Sequence, residues 1–187
     1  MIIYIDDNIN DFYLDEAMTL LSEQRREQVQ KYKHDGPRRQ SIAAYLLLRK
    51  ALKETYGIED APVFEYEEGG KPRIARHHDI HFNMSHCRKA VACVVADAPV
   101  GIDVEETTRY NDGVARYTLS DEEYERVMNS AEPAIEFTKL WTMKEALLKY
   151  TGEGLRRDIK TVLSLPPANE VDFHVEIHEG YIVCVVS

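Results

Sequence analysis

Phe137-Thr138-Lys139-Leu140-Trp141-Thr142-Met143-Lys144-Glu145-Ala146-Leu147-Leu148-Lys149 is a helix-forming run that places a lysine where a core residue belongs. At about 100° per residue, Phe137, Leu140, Trp141, Leu147 and Leu148 share one apolar arc, and Lys144 projects from the middle of it. A buried, unpaired ammonium is costly, so Lys144 must either shift its pKa or have something negative beside it. Glu145 and Lys149 lie one step round the helix, at the edge of the buried stripe, where a side chain is held firmly and still meets a ligand. The plain alternative for those two is an (i, i+4) surface ion pair.

Working outward, this helix spans about Ala134 to Tyr150 and stops at Gly152-Glu153-Gly154. Before it, Ser120-Asp121-Glu122-Glu123 has the hydroxyl and carboxylate of a capping box, so another helix starts there. Residues 107–118 show little periodicity and read as a linker or mobile loop. After it, Val171, Phe173, Val175 and Ile177 alternate with polar residues and Glu179-Gly180 turns into Tyr181–Val186, a terminal hairpin. In the first half, Met1 to Asp6 is a short strand, and Leu14 to Lys33 a helix with a break or new cap near Ser22. Asp35-Gly36-Pro37 reads as its end, and a longer helix runs from Arg38 to Gly57. Val63–Tyr66 and Asp79–Asn83 are extended, with a tight turn at Glu68–Pro72. Ala90–Ala96 and Val100–Glu105 suggest an antiparallel hairpin. Helices followed by short antiparallel strands, twice over, point to an α+β protein of two similar halves, residues 1–99 and 100–187.

Composition narrows the function classes. The 187 residues are 44% hydrophobic, normal for a folded globule, and carry a net charge of −10. That field repels phosphate backbones, so no nucleic-acid partner is expected. No apolar run approaches a membrane span, and the N-terminus lacks a basic leader, so no membrane partner is expected and a cytoplasmic location is. Cys87, Cys93 and Cys184 form no Cys-x-x-Cys pair and read as reduced core residues. One stretch departs from the acidic average: between Arg25 and Lys53, the basic residues Lys31, Lys33, Arg38, Arg39, Arg49 and Lys50 outnumber the acidic ones. This is either a solvated helix face or a local seat for a polyanionic small molecule.

Three further clusters carry chemistry. Val100-Gly101-Ile102-Asp103-Val104-Glu105 alternates, so on a strand Asp103 and Glu105 face one way and Val100, Ile102 and Val104 the other. Two carboxylates on one face, with Glu145 as a third oxygen donor, suit magnesium better than zinc; the alternative is a half-exposed strand. Asn83-Met84-Ser85-His86 brings an amide, a hydroxyl and an imidazole to a bend, either an ST-turn or a phosphate or ribose contact. Lys71 after Gly69-Gly70 is either a solvated turn lysine or an anion contact on a flexible turn; the spacing is not that of a Walker loop.

Taken in order, Gly70-Lys71-Pro72, Phe82-Asn83-Met84-Ser85-His86, Gly101-Ile102-Asp103-Val104-Glu105 and Trp141-Thr142-Met143-Lys144-Glu145-Ala146-Leu147-Leu148-Lys149 resemble the 4'-phosphopantetheinyl transferase superfamily, in its longer surfactin-synthetase-activating type. The resemblance covers roughly residues 70 to 155. It implies transfer of phosphopantetheine from coenzyme A to a serine of an apo acyl or peptidyl carrier protein, releasing adenosine 3',5'-bisphosphate. It also implies halves related by a pseudo-twofold axis, antiparallel sheets with long helices, and an active site between the halves. By position, Asp103, Glu105 and Glu145 correspond to magnesium ligands, and Glu145 to the base that activates the serine. Lys149 corresponds to the group that neutralises or protonates the leaving phosphate, and Lys144 to a phosphate contact. Lys71, Ser85 and His86 would bind the nucleotide end of coenzyme A, with Arg25, Arg38 and Arg39 for its 3'-phosphate. Glu153 stands where the family commonly has a basic residue, and the chain is short for this type, the difference falling in the C-terminal tail. A monomer is expected, with the carrier docking across residues 107–128. The alternative from another class is a non-catalytic coenzyme A or carrier-binding module of the same fold.

Overall fold

The computed structural model describes residues 1–154 and 158–187. The chain begins with strand β1 (Ile2–Asp6), followed by helices α1 (Leu14–Thr19), α2 (Glu23–Gln30) and α3 (Asp35–Tyr56). The break near Ser22 is a cap: its hydroxyl accepts from Arg25 N and starts α2. Asp35-Gly36-Pro37 opens α3 where the sequence suggested an end. Pro37 falls in the first turn, where amide hydrogens have no acceptor within the helix, so a missing one is tolerated. Gly57, at φ +70°, closes α3 with its N–H on Lys53 O at 3.0 Å, while Ile58 N reaches Leu52 O at 3.2 Å.

Strands β2 (Phe64–Tyr66) and β3 (Pro72–Ile74) form a two-stranded ribbon across the predicted turn. Next come β4 (His81–His86) and β5 (Val91–Ala96), an antiparallel hairpin closed by Cys87 N on Ala90 O at 2.8 Å. Strand β6 (Gly101–Glu106) leads through a 3₁₀ turn at Thr107–Arg109 into α4 (Asp112–Thr118), α5 (Asp121–Met128) and α6 (Pro133–Thr151). The hairpin β7 (Phe173–His178) and β8 (Tyr181–Val186) completes the chain. Within 107–118, where the sequence suggested a loop, 107–109 and 112–118 are thus helical. Asn111 Oδ1 caps α4 by accepting from Gly113 N and Val114 N, a start signal too short-ranged to show as periodicity. The capping box at Ser120 and Glu123 is formed as expected.

The sheets explain why β5 and β6 do not pair as a hairpin. In the first, ordered β1-β5-β4, the central strand β5 has both edges occupied, with Ile2 opposite Val95 and His86 opposite Val91. Strand β6 therefore turns away and pairs with β8, Gly101 opposite Val186, in a second sheet ordered β6-β8-β7. In both sheets the first strand lies beside the last and all pairings are antiparallel.

Strand β5 is buried on both faces because each has its own partner layer. Val91, Cys93 and Val95 pack with Ile42, Tyr45, Leu48 and Leu52 of α3. Ala92 and Val94 pack with Ile102, Val104, Val183 and Val185 of the second sheet. Beyond that sheet, Ala146 and Leu147 of α6 meet Cys184 and Val186, while Phe137 and Leu140 meet Ala115, Leu119 and Val127 of α4 and α5. The layers run helix, sheet, sheet, helix. All three cysteines are free and buried. Among the described residues no helix is long and apolar enough to cross a membrane.

Candidate active site

The two sheets meet along their edge strands β4 and β6, joined by side chains. Asn83 Oδ1 accepts from Ile102 N at 3.0 Å, satisfying an edge amide. Ser85 Oγ donates to Asp103 Oδ1 at 2.7 Å. At the far end the buried Glu106 carboxylate accepts from Arg88 three times, from the backbone N at 2.8 Å, Nε at 3.1 Å and Nη2 at 2.9 Å. Ser85 and His86 therefore sit on a strand, not on a bend.

Helix α6 lies against the same seam because Gly101 lets it. A Cβ at that position would stand 2.1 Å from Ala146 O and 2.6 Å from Tyr150 N. This approach carries Lys149 to the middle contact, its Nζ 2.7 Å from Asp103 Oδ1 and 2.9 Å from Ser85 Oγ. Lys149 thus pairs across the seam, not with Glu145 along the helix.

Around that contact the electrostatics are uneven. Glu145 is half-buried, and its pKa is raised chiefly by burial and then by the charge of Asp103, with Lys149 pulling the other way. Glu105 points along the same face of β6 and accepts from Trp141 Nε1 at 3.3 Å. The His86 pKa is lowered, first by desolvation and then by the cations of Lys149 and Arg25. Asp103 Oδ2 is buried and has no hydrogen-bond partner. A carboxylate oxygen in that state is costly unless a cation or donor completes it.

These donors fit a hard divalent cation in type: all are carboxylate oxygens, and Asp103 Oδ2 lacks the partner such an ion supplies. Among the described residues, however, no three His, Cys, Asp or Glu side chains are gathered as a group that could hold a metal. Lys149 occupies the other oxygen of Asp103.

The remaining sequence candidates are dispersed. Lys144 is fully enclosed, at 0% exposure, and the anion beside it is a protein group, Glu123. Its Nζ lies 2.6 Å from Glu123 Oε2, 2.8 Å from Ile159 O and 3.0 Å from Thr118 O. Burial lowers its pKa and Glu123 opposes that shift, so both outcomes demanded by a lysine on an apolar stripe are present. Lys71 bridges Val100 O at 3.1 Å and Tyr150 O at 2.8 Å, tying the β2–β3 ribbon to the C-terminal turn of α6. Arg25 is buried, with Nη2 on Ser41 O and Oγ at 2.7 and 2.8 Å. Arg38 holds Tyr32 O at 2.8 Å, and Arg39 lies over the Phe12 ring.

Sequence reasoning missed Asn83 as an edge cap, the Arg88–Glu106 pair and the partnership of Glu123 with Lys144. Only Glu123 left a signal, as the capping-box residue, and it uses the same oxygen to accept from Ser120 N at 2.8 Å.

Comparison with known proteins bears directly on this arrangement. Residues 10–98 match the family model described as 4'-phosphopantetheinyl transferase, N-terminal, and residues 99–184 match that of the 4'-phosphopantetheinyl transferase superfamily. The chain is 30% identical over 188 residues to the 4'-phosphopantetheinyl transferase Sfp of Bacillus subtilis strain 168, covering 99% of this chain and 84% of the relative. It is also 30% identical to a 4'-phosphopantetheinyl transferase of Bacillus pumilus, covering 98% of this chain and 79% of that one. A further Bacillus subtilis 4'-phosphopantetheinyl transferase is 27% identical over 187 residues, covering 98% of this chain and 83% of that one. With two family models matched in succession along residues 10–184 and relatives aligned along nearly its whole length, this chain belongs to the 4'-phosphopantetheinyl transferase family.

Proposed function

We propose that the chain transfers the 4'-phosphopantetheine group from coenzyme A to a serine hydroxyl of an apo acyl or peptidyl carrier protein, with magnesium, releasing adenosine 3',5'-bisphosphate. The observation that carries the reading is the seam contact itself: Lys149 on Asp103 and Ser85, beside a half-buried Glu145 and an unpartnered carboxylate oxygen.

Phosphoryl transfer needs positioning and charge neutralisation more than covalent help from the protein. The carrier serine oxygen bonds to the phosphorus of the phosphopantetheine phosphate, and the bond from that phosphorus to the adenosine bisphosphate breaks. The serine proton passes to a Glu145 oxygen, directly or through water. Lys149, whose ammonium is held on the seam by Asp103 and Ser85, donates to the leaving phosphate. Asp103, Glu145 and Glu105 would be the residues to hold magnesium, which would supply neutralisation of the pyrophosphate charge. Ser85 and His86 contact the nucleotide end, and Lys71 approaches it from the β2–β3 ribbon. Arg25, whose charge reaches His86, with Arg38 and Arg39 near the start of α3, would face the 3'-phosphate.

The halves 1–99 and 100–187 are proposed to be related by a pseudo-twofold axis, with the site between them. Each runs strand, helices, hairpin; each sheet places its first strand beside its last; and the two matched regions meet at residues 98 and 99. We propose a cytoplasmic monomer that engages no nucleic acid or membrane and meets its carrier across 107–128, where Val114, Tyr117 and Met128 are exposed. The test is mass spectrometry of an apo carrier incubated with the protein, coenzyme A and magnesium. A carrier heavier by one phosphopantetheine is expected; no mass change across several carriers would overturn the reading and favour a binding module.

A further inference from the structure

Lys144 and Lys149 leave the same helix in different directions. Five residues at about 100° each put them about 140° apart. Lys149 turns to the seam, while Lys144 turns to the opposite wall, where three separate segments end on its ammonium. Thr118 O is the last residue of α4, Glu123 Oε2 belongs to the first turn of α5, and Ile159 O and Lys160 O come from the 3₁₀ turn Ile159–Thr161, the latter at 3.5 Å. Three N–H donors thus meet four oxygens, with no exposure to solvent. A phosphate could reach this nitrogen only if α5 and the 3₁₀ turn first left α6.

The ammonium is also placed beside the chemistry without joining it. Glu145 is the next residue, so any shift of α4 and α5 on α6 is felt at the turn that carries the base. Glu123 is committed twice over, to Lys144 and to Ser120 N, so the start of α5 and the Lys144 contact form together. Removing either partner of this pair would leave an uncompensated charge, that of Lys144 fully enclosed.

We propose that Lys144 is a positioning residue: with Glu123 it locks α4, α5 and the 159–161 turn onto α6, setting the surface that the carrier meets, and it takes no part in holding coenzyme A. This rests on the proposed function insofar as the carrier docks across 107–128. The tests are calorimetry with coenzyme A, steady-state kinetics for both substrates, and amide hydrogen exchange, on Lys144→Met and Lys144→Arg. Arginine suits a phosphate contact but is too large for this enclosed position. Both variants should bind coenzyme A within about twofold of the parent, raise the carrier KM about tenfold with the coenzyme A KM unchanged, and exchange faster over 112–128 and 158–161. Loss of coenzyme A affinity in Lys144→Met that Lys144→Arg restores, with exchange over 112–128 unchanged, overturns the proposal. Should neither variant fold, Glu123→Gln keeps an oxygen for Ser120 N and loses only the charge. Faster exchange over 112–128 with unchanged coenzyme A affinity then supports the lock, and unchanged exchange overturns it. A parent that binds no coenzyme A would refute the transferase reading instead, and the exchange comparison would still decide the role of Lys144.

Discussion

Gly101→Ala tests how closely the site depends on backbone contact. The added Cβ would stand 2.1 Å from Ala146 O, 2.6 Å from Tyr150 N and 2.9 Å from Tyr150 Cα. All three are backbone atoms of α6 and cannot rotate aside, so β6 must retreat from α6 by more than about 1 Å to regain ordinary contact. Overpacking of this kind costs about 2–3 kcal/mol, and at about 2–4 °C per kcal/mol for a chain of this size the melting temperature should fall by about 4–12 °C. Asp103 lies two residues along β6 and Lys149 immediately before Tyr150, so the same retreat opens their 2.7 Å contact. A displacement of about 1 Å at a reacting centre lowers turnover about a hundredfold. Thermal unfolding and carrier-mass kinetics measure the two effects, with Gly36→Ala as the opposite control. Nothing lies within 4 Å of a Cβ at Gly36, in the first turn of α3 and away from the seam; alanine there should leave turnover at the parent level. Gly101→Ala melting with the parent and turning over normally would refute the packing argument.

Glu145→Gln should keep coenzyme A binding and lose transfer by about 100-fold or more, as removal of a general base does; retained transfer in the mass assay would remove Glu145 from that role. Chelation of divalent cations should abolish transfer and added magnesium restore it, and activity that persists after exhaustive chelation would dismiss the metal. Glu106→Gln probes the seam by pH. Arg88 donates to Glu106 and holds its carboxyl below the ordinary glutamate pKa. The stabilisation is therefore complete above the unfolded-state value and lost as pH falls through the lower folded one. Denaturant titrations should show parent and variant furthest apart at neutral pH and converging below the ordinary glutamate range; a gap that widens on acidification would contradict the assignment.

Much of this was legible in local spacing. The apolar arc of α6, the capping box at Ser120, the cap at Ser22, the terminal hairpin and the shared face of Asp103 and Glu105 are all short-range properties, and the structure has each of them. The requirement that Lys144 find an anion was also sound, because it follows from the energetics of a buried charge. The identity of the anion was not legible: Glu123 lies 21 residues away and is brought close only by the packing of α5 on α6. The same limit explains the strand error. β5 and β6 are neighbours in sequence, but their partners are set by β1 and β8, at the two ends of the chain. Pro37 misled for a different reason, since proline signals a helix start as readily as a stop and only the cap decides. Charge counting leaves the run from Arg25 to Lys53 as either a solvated helix face or a seat for a polyanion; it carries no sign that Arg25 is buried on Ser41.

The seam between β4 and β6 has a consequence for how order in this protein can be monitored. Asn83, Ser85 and Arg88 cross it, above an apolar layer shared by both sheets, whereas each sheet holds its own ladder of amide bonds. A partly opened species in which the layers have slid apart can keep its strands and helices and yet have no intact Lys149–Asp103–Ser85 contact. Catalysis is then a gauge of tertiary docking and should vanish at milder denaturant than the far-ultraviolet dichroism reporting secondary structure.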